Sequence, residues 1–120
     1  MNDNLKKLID TLKNDGYLKS PEIINAFLKI DRKDFVPRYL EEDAYLNIPL
    51  SIGEGQTISQ PLTVAFMLEL LEVKAGDKIL DIGSGSGWTS ALLAYMVGDK
   101  GRVVAVDCAD YVVEASFESE

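Results

Sequence analysis

Between residues 81 and 87 the chain reads Asp81-Ile82-Gly83-Ser84-Gly85-Ser86-Gly87, a carboxylate followed by three glycines at alternate positions. Glycines so placed let the backbone approach a ligand closely, and a helix opening directly behind them points free N–H groups at it. A tight turn with no ligand is the plainer reading of any single glycine. Three of them between a strand and a helix favour a ligand. A second carboxylate, Asp107, lies 20 residues beyond Gly87 at the end of the next apolar run. There it can accept two hydrogen bonds from a ribose diol; without a ligand it is a strand-end or helix-cap aspartate. The loop does not fit the dinucleotide fingerprint Gly-x-Gly-x-x-Gly, whose third glycine falls on Trp88 or Ser90 depending on the register. It lacks the Gly-Lys-Ser/Thr ending of a P-loop and has no Lys or Arg to meet a pyrophosphate. Two acids and no bases suit a ligand that joins a ribose to positive charge. S-adenosyl-L-methionine, with an ammonium and a sulfonium, fits.

Composition narrows the chemistry further. There is no histidine among the 120 residues, so no Ser-His-Asp or Cys-His unit and no His-ligated metal site can form, and no metal is expected. The net charge of −8 argues against a nucleic-acid backbone binder. The first 42 residues hold eight basic and eight acidic side chains and the rest hold four and twelve. An acidic second part suits a cationic ligand, although charge runs more often only solvate a surface. A single cysteine, Cys108, allows no intrachain disulfide and suits a reducing, cytoplasmic setting. No apolar run approaches the ~20 residues of a membrane span, and the first residues carry no apolar segment of a signal peptide.

The elements that must position these groups follow from periodicity. Leu5, Leu8, Ile9 and Leu12 predict an amphipathic helix over 4–15 that stops at Gly16. Ser20-Pro21 predicts a second helix, with Ser20 as N-cap and Ile23, Ile24, Phe27 and Leu28 on its apolar face. Residues 41–61 read as mostly irregular, a length that is more often functional than a plain connector. Ser59 reads as the N-cap of a helix begun near Pro61, with Val64, Met67, Leu68 and Leu71 on one face. Lys78–Ile82 and Arg102–Asp107 read as apolar strands, joined by the glycine loop and a helix from Trp88 to Val97. This is a βαβ unit with parallel strands covered on both faces. A short last helix is expected from about Asp110 to Phe117.

The Asp-x-Gly-x-Gly-x-Gly run resembles motif I of class I S-adenosylmethionine-dependent methyltransferases. A wider stretch is more specific. Ala44-Tyr45, Ile48-Pro49-Leu50, Ile52-Gly53-x-Gly55-Gln56-Thr57-Ile58-Ser59-Gln60-Pro61 and Leu70-Leu71, with Asp31-Arg32-x-x-Phe35-Val36-Pro37 before them, resemble the protein-L-isoaspartate O-methyltransferase family over roughly residues 20–107. The resemblance implies an α/β, Rossmann-like class I methyltransferase fold with N-terminal helices, truncated after the second parallel strand. It implies one domain over 1–120, with helices and a substrate loop up to residue 60 and the first part of the cofactor unit from 61. It places Ser59 at the family's active-site serine with Thr57 beside it. Asp81, Gly83, Ser84, Gly85 and Gly87 fall on the cofactor loop, and Asp107 on the ribose-binding acid. The implied partners are isoaspartyl-containing peptides and proteins, with no nucleic acid and no membrane, and the oligomeric state is left open. Three departures stand out. The family's chains are much longer, Cys108 and an acidic tail stand where a basic residue often follows, and Trp88 replaces the usual tyrosine as the aromatic near the cofactor. A small-molecule methyltransferase and a non-catalytic cofactor-binding module remain the competing readings, and Trp88 disfavours a nicotinamide-binding protein.

Overall fold

The N-terminal helices form where the apolar stripes predict them. In the computed structural model, which describes residues 2–53, 55–106 and the backbone of 112–115, helix α1 spans Asp3–Asn14 and buries Leu5, Leu8, Ile9 and Leu12. The Asn2 side chain accepts from the N–H groups of Asn4 and Leu5, satisfying two of the free donors at its start. Helix α2 spans Pro21–Lys29, with proline at its first position and Ile23, Ala26 and Phe27 buried. Ser20 is its N-cap residue, but the hydroxyl makes no cap bond. It donates instead to Glu69 at 2.6 Å, and Glu69 also accepts the N–H groups of Lys19 and Ser20.

Two 3₁₀ turns, Arg32–Phe35 and Arg38–Asp43, lead into the segment expected to be irregular. That expectation is corrected in part. Leu50–Gly53 (β1) and Gln56–Ile58 (β2) form an antiparallel hairpin with Leu50 opposite Ile58 and Ser51 opposite Thr57. Its strands are four and three residues long, too short for alternation to announce them.

Helix α3 spans Pro61–Leu71, and its N-cap residue is Gln60, not Ser59. The cap acceptor comes from elsewhere: Asn47 Oδ1 takes the Leu62 N–H at 2.9 Å. The buried face is Pro61, Val64, Ala65 and Leu68, while Met67 and Leu71 are 62% and 54% exposed. Nearly every residue of α3 is apolar, so periodicity does not fix which stripe turns inward.

Strand β3 (Lys78–Ile82), helix α4 (Trp88–Val97) and strand β4 (Arg102–Val106) make the expected right-ordered βαβ unit, with β3 and β4 parallel from Lys78↔Arg102 to Ile82↔Val106. The last helix is not formed over Val112–Ala115. These residues are strand β5, antiparallel to β4, so the sheet order is β3-β4-β5. The β-branched pair Val112-Val113 suits a pleated neighbour better than a helix. β5 covers one edge of β4, leaving the outer edge of β3 open among the described residues. Nor is β3 covered on both faces. Leu80 is 60% and Ile82 75% exposed, whereas Val103 and Ala105 are buried.

Phe27, Leu12, Leu18, Leu92 and Val97 join one core with Trp88 at its centre. Each such large side chain contributes about 1.5–3 kcal/mol by leaving water. Among the described residues no helix is long and apolar enough to cross a membrane.

Candidate functional site

The end of β3, the glycine loop, the hairpin and α3 enclose a cavity of about 420 Å³. Thr57 and Ser59 from the end of the hairpin, Met67 from α3, and Asp81, Gly83 and Ser84 from β3 and the loop all line it. The sequence-predicted substrate side and cofactor side therefore meet in one space. Gly85 and Gly87 adjoin it within the same loop. Asp107 lies outside the described residues; it follows Val106, the last residue of β4.

The loop geometry explains two glycines in particular. Gly87 precedes α4 at φ +88°, a left-handed conformation that a side chain would strain. At Gly85, φ is +53° and an added Cβ would lie 3.4 Å from the Thr57 carbonyl oxygen. The loop thus runs close beside the hairpin backbone. The N–H groups of Gly83 and Ser84 both go to the Val106 carbonyl, which folds the loop over the end of β4. Ser86 Oγ accepts the Trp88 N–H at 3.2 Å and so serves the start of α4.

Asp81 is held as well as placed. The hydroxyl of Ser90, buried in the first turn of α4, donates to its Oδ2 at 2.5 Å. One carboxylate oxygen is thereby anchored to the helix behind the loop. Among the described residues Asp81 is the only charged group lining the cavity, alongside the hydroxyls of Thr57, Ser59, Thr63, Ser84, Ser86 and Thr89. An acid among hydroxyls and apolar walls, with no cation among the described lining residues, can take a ligand that is polyhydroxylated and positively charged.

Ser59 and Thr57 are both exposed on the hairpin side. The Ser59 hydroxyl has no hydrogen-bond partner among the described residues, so it is free to meet a ligand, while its carbonyl is tied down by Arg32 Nη2 at 3.0 Å. Trp88 does not line the cavity. It is 2% exposed, edge-on to Phe27 with ring centroids 5.4 Å apart, and its Nε1 donates to the Ile30 carbonyl. The expected aromatic near the cofactor is a core residue behind the loop.

Arg32, Asn47 and Ser90 support the site without a signal of their own in periodicity or spacing. Asp31-Arg32-Lys33-Asp34 reads as part of a short turn, yet Arg32 is 1% exposed. Its available signal was its place in Asp31-Arg32-x-x-Phe35-Val36-Pro37. Burial lowers its pKa to about 10, which leaves it charged at neutral pH. Asp31 Oδ1 accepts the Tyr45 hydroxyl at 2.7 Å and so fixes the segment that Arg32 grips. Burial, and then this bond and the nearby carboxylates, raise the Tyr45 pKa and keep the phenol protonated.

With this geometry in view, comparison with known proteins is informative. The family model for Protein-L-isoaspartate(D-aspartate) O-methyltransferase matches residues 3–119. The chain is similar to the protein-L-isoaspartate O-methyltransferase of Ignicoccus hospitalis, 41% identical over 118 residues, which are 98% of this chain and 56% of the relative. It is 50% identical over 91 residues to that of Fervidobacterium nodosum, covering 76% of this chain and 46% of the relative. Among solved structures it is similar to a Plasmodium falciparum protein described as a protein-L-isoaspartate O-methyltransferase, crystallised with S-adenosyl-L-homocysteine. That match has a TM-score of 0.78 and 27% identity, and covers 91% of this chain and 51% of that one. A second protein-L-isoaspartate O-methyltransferase structure gives a TM-score of 0.77 at 34% identity, over 88% of this chain and 34% of that one. The chain spans about half the length of the curated relatives it matches. This chain belongs to the protein-L-isoaspartate O-methyltransferase family.

Proposed function

We propose that this chain carries the cofactor loop and the active-site serine of an enzyme that transfers a methyl group from S-adenosyl-L-methionine to the carboxylate of L-isoaspartyl residues in damaged proteins. The observation that carries the reading is the shared cavity, which Ser59 and Thr57 line together with Asp81, Gly83 and Ser84 in a chain of this family. We place the whole of 1–120 in one cytoplasmic domain, with the substrate side before residue 60 and the cofactor side after it.

The residues present fit the cofactor. Asp81 would offer a carboxylate to its ammonium group, and Gly83, Ser84, Gly85 and Gly87 would allow close backbone approach; the family resemblance gives Asp107 the ribose. When bound, S-adenosylmethionine supplies an activated methyl group on a sulfonium, with a neutral thioether as leaving group. The side chains of this protein then have little proton chemistry to do. A substrate carboxylate is already ionised at pH 7, so no general base is required, which agrees with a histidine-free chain. Ser59 and Thr57 orient that carboxylate by donating hydroxyl hydrogen bonds, and Met67 and Leu71 keep the cavity wall apolar. Catalysis is alignment and exclusion of water.

The test has two arms. Calorimetric titration with S-adenosylhomocysteine should give saturable binding that Asp81→Asn weakens about tenfold, as expected for one charge-assisted hydrogen bond. Methyl transfer should favour an isoaspartyl peptide over its aspartyl isomer and be lost in Ser59→Ala. Binding without transfer supports a cofactor-binding module. Transfer only to small molecules supports the rival methyltransferase, and the absence of binding refutes the assignment.

A further inference from the structure

One buried cation holds Ser59, which lines the cavity, and packs on Trp88, which follows the glycine loop. Arg32 Nη1 donates to the carbonyls of Ala44 and Leu46 at 2.9 and 3.2 Å, and Nη2 to those of Ile48 and Ser59 at 2.8 and 3.0 Å. Its Nε has no partner among the described residues. The guanidinium carbon lies 5.5 Å from the centroid of the Trp88 ring, within the range of a cation–π contact. Trp88 is the first residue of α4, and its backbone N–H is bonded to Ser86, which lines the cavity. A continuous set of contacts therefore runs from Ser86 through Trp88 and Arg32 to Ser59. Arg32 does not itself line the cavity.

We infer that Arg32 is a positioning residue that couples occupancy of the glycine loop to the placement of Ser59. This rests on the cofactor reading above. A planar fork is needed because four carbonyls spread over Ala44, Leu46, Ile48 and Ser59 must be reached from two nitrogens at once. Lysine keeps the charge but offers a single nitrogen, so it cannot hold both pairs. Filling the loop fixes Ser86 and the first turn of α4, and the ring of Trp88 transmits that restraint to the guanidinium. The segment 44–60 then becomes better ordered when the loop is filled.

Amide hydrogen exchange of the full chain, with and without S-adenosylhomocysteine, tests this in the parent, Arg32→Lys and Trp88→Leu, with affinity read by calorimetry. In the parent the ligand should slow exchange in 44–60 about fivefold, at the low end of measured couplings. Arg32→Lys should exchange roughly tenfold faster in 44–60 alone, as the loss of bonds to a charged group requires. It should show no slowing by the ligand and, by reciprocity, should bind it about fivefold more weakly. Trp88→Leu should keep the unliganded exchange of 44–60 near that of the parent and lose only the response. If it unfolds, Arg32→Lys decides alone. A parent-like response in Arg32→Lys, or faster exchange across the whole chain, overturns the inference while leaving the cofactor reading intact. A parent that binds no S-adenosylhomocysteine refutes the cofactor reading, and the coupling falls with it.

Discussion

Helix α3 begins just after Ser59, and the structure assigns its cap to Asn47 rather than to Ser59. Asn47 Oδ1 accepts the N–H of Leu62, the second residue of the helix, and its backbone carbonyl accepts the side chain of Gln60 at 3.0 Å. Removing a side-chain acceptor from a helix N-terminus costs about 1 kcal/mol, within a range of ~0.5–2. The Leu62 amide is part-buried, so water replaces the lost acceptor only in part, and Asn47→Ala should reach at least the middle of that range. For a domain of this size that lowers Tm by roughly 4–5 °C. Asn47→Asp retains the acceptor and places a negative charge at the helix N-terminus, so it should match the parent or exceed it by about 0.3–1 kcal/mol. Ser59→Ala removes an exposed hydroxyl with no partner among the described residues and should change stability by less than about 0.5 kcal/mol. Thermal unfolding followed by circular dichroism at pH 7 resolves all three. Ser59→Ala falling as far as Asn47→Ala, or Asn47→Asp falling with it, would show the cap to be misassigned. Among the described residues the local structure does not use the Ser59 hydroxyl, which leaves it available for the role proposed above.

Two further outcomes follow from single contacts. Burial pushes the Glu69 carboxyl up, but the Ser20 hydroxyl and the N–H groups of Ser20 and Lys19 together hold its pKa below the ordinary value. A lowered folded-state pKa contributes stability that is complete above the unfolded value, about 4.3, and is lost as pH falls through the folded value. Urea midpoints should therefore show Glu69→Gln less stable than the parent at pH 7, with the gap closing as pH drops below about 5; a constant gap would contradict this. At Gly101 an added Cβ would collide with the Val97 side chain and lie 2.7 Å from the Asp77 carbonyl oxygen. Gly101→Ala should cost about 1–3 kcal/mol, and a urea midpoint equal to the parent's would show that the turn yields freely.

The legible parts of this chain are those whose signal is local. The stripe of Leu5, Leu8, Ile9 and Leu12 names α1 and its buried face together, because the intervening residues are polar. Gly83, Gly85 and Gly87 between an apolar run and Trp88 name a strand, a loop and a helix for the same reason. In α3 the signal saturates. With Phe66, Met67, Leu70 and Leu71 as apolar as Val64 and Leu68, only tertiary contacts settle which stripe faces inward. The stripe expected to be core is instead the cavity wall at Met67 and Leu71. At Val112–Ala115 pairing with β4 overrides a reading made from a short, acidic tail. The roles of Arg32, Asn47 and Ser90 depend on partners 27, 15 and 9 residues away, which no periodicity reports.

That separation has a physical cause. Thr57 and Ser59, which line the cavity from the hairpin, sit on a three-residue strand and just beyond it. An isolated hairpin of this size is not stable in water, so Thr57 and Ser59 cannot be fixed by the element that carries them. Their placement has to come from outside. The structure supplies it through the Arg32 fork on the carbonyls of Ile48 and Ser59, the Asn47 cap on α3, and the Asp31–Tyr45 hydrogen bond behind both. Each of these holds backbone or buried groups and leaves the Ser59 hydroxyl exposed. The placement of Ser59 is therefore stored in residues that do not themselves line the cavity.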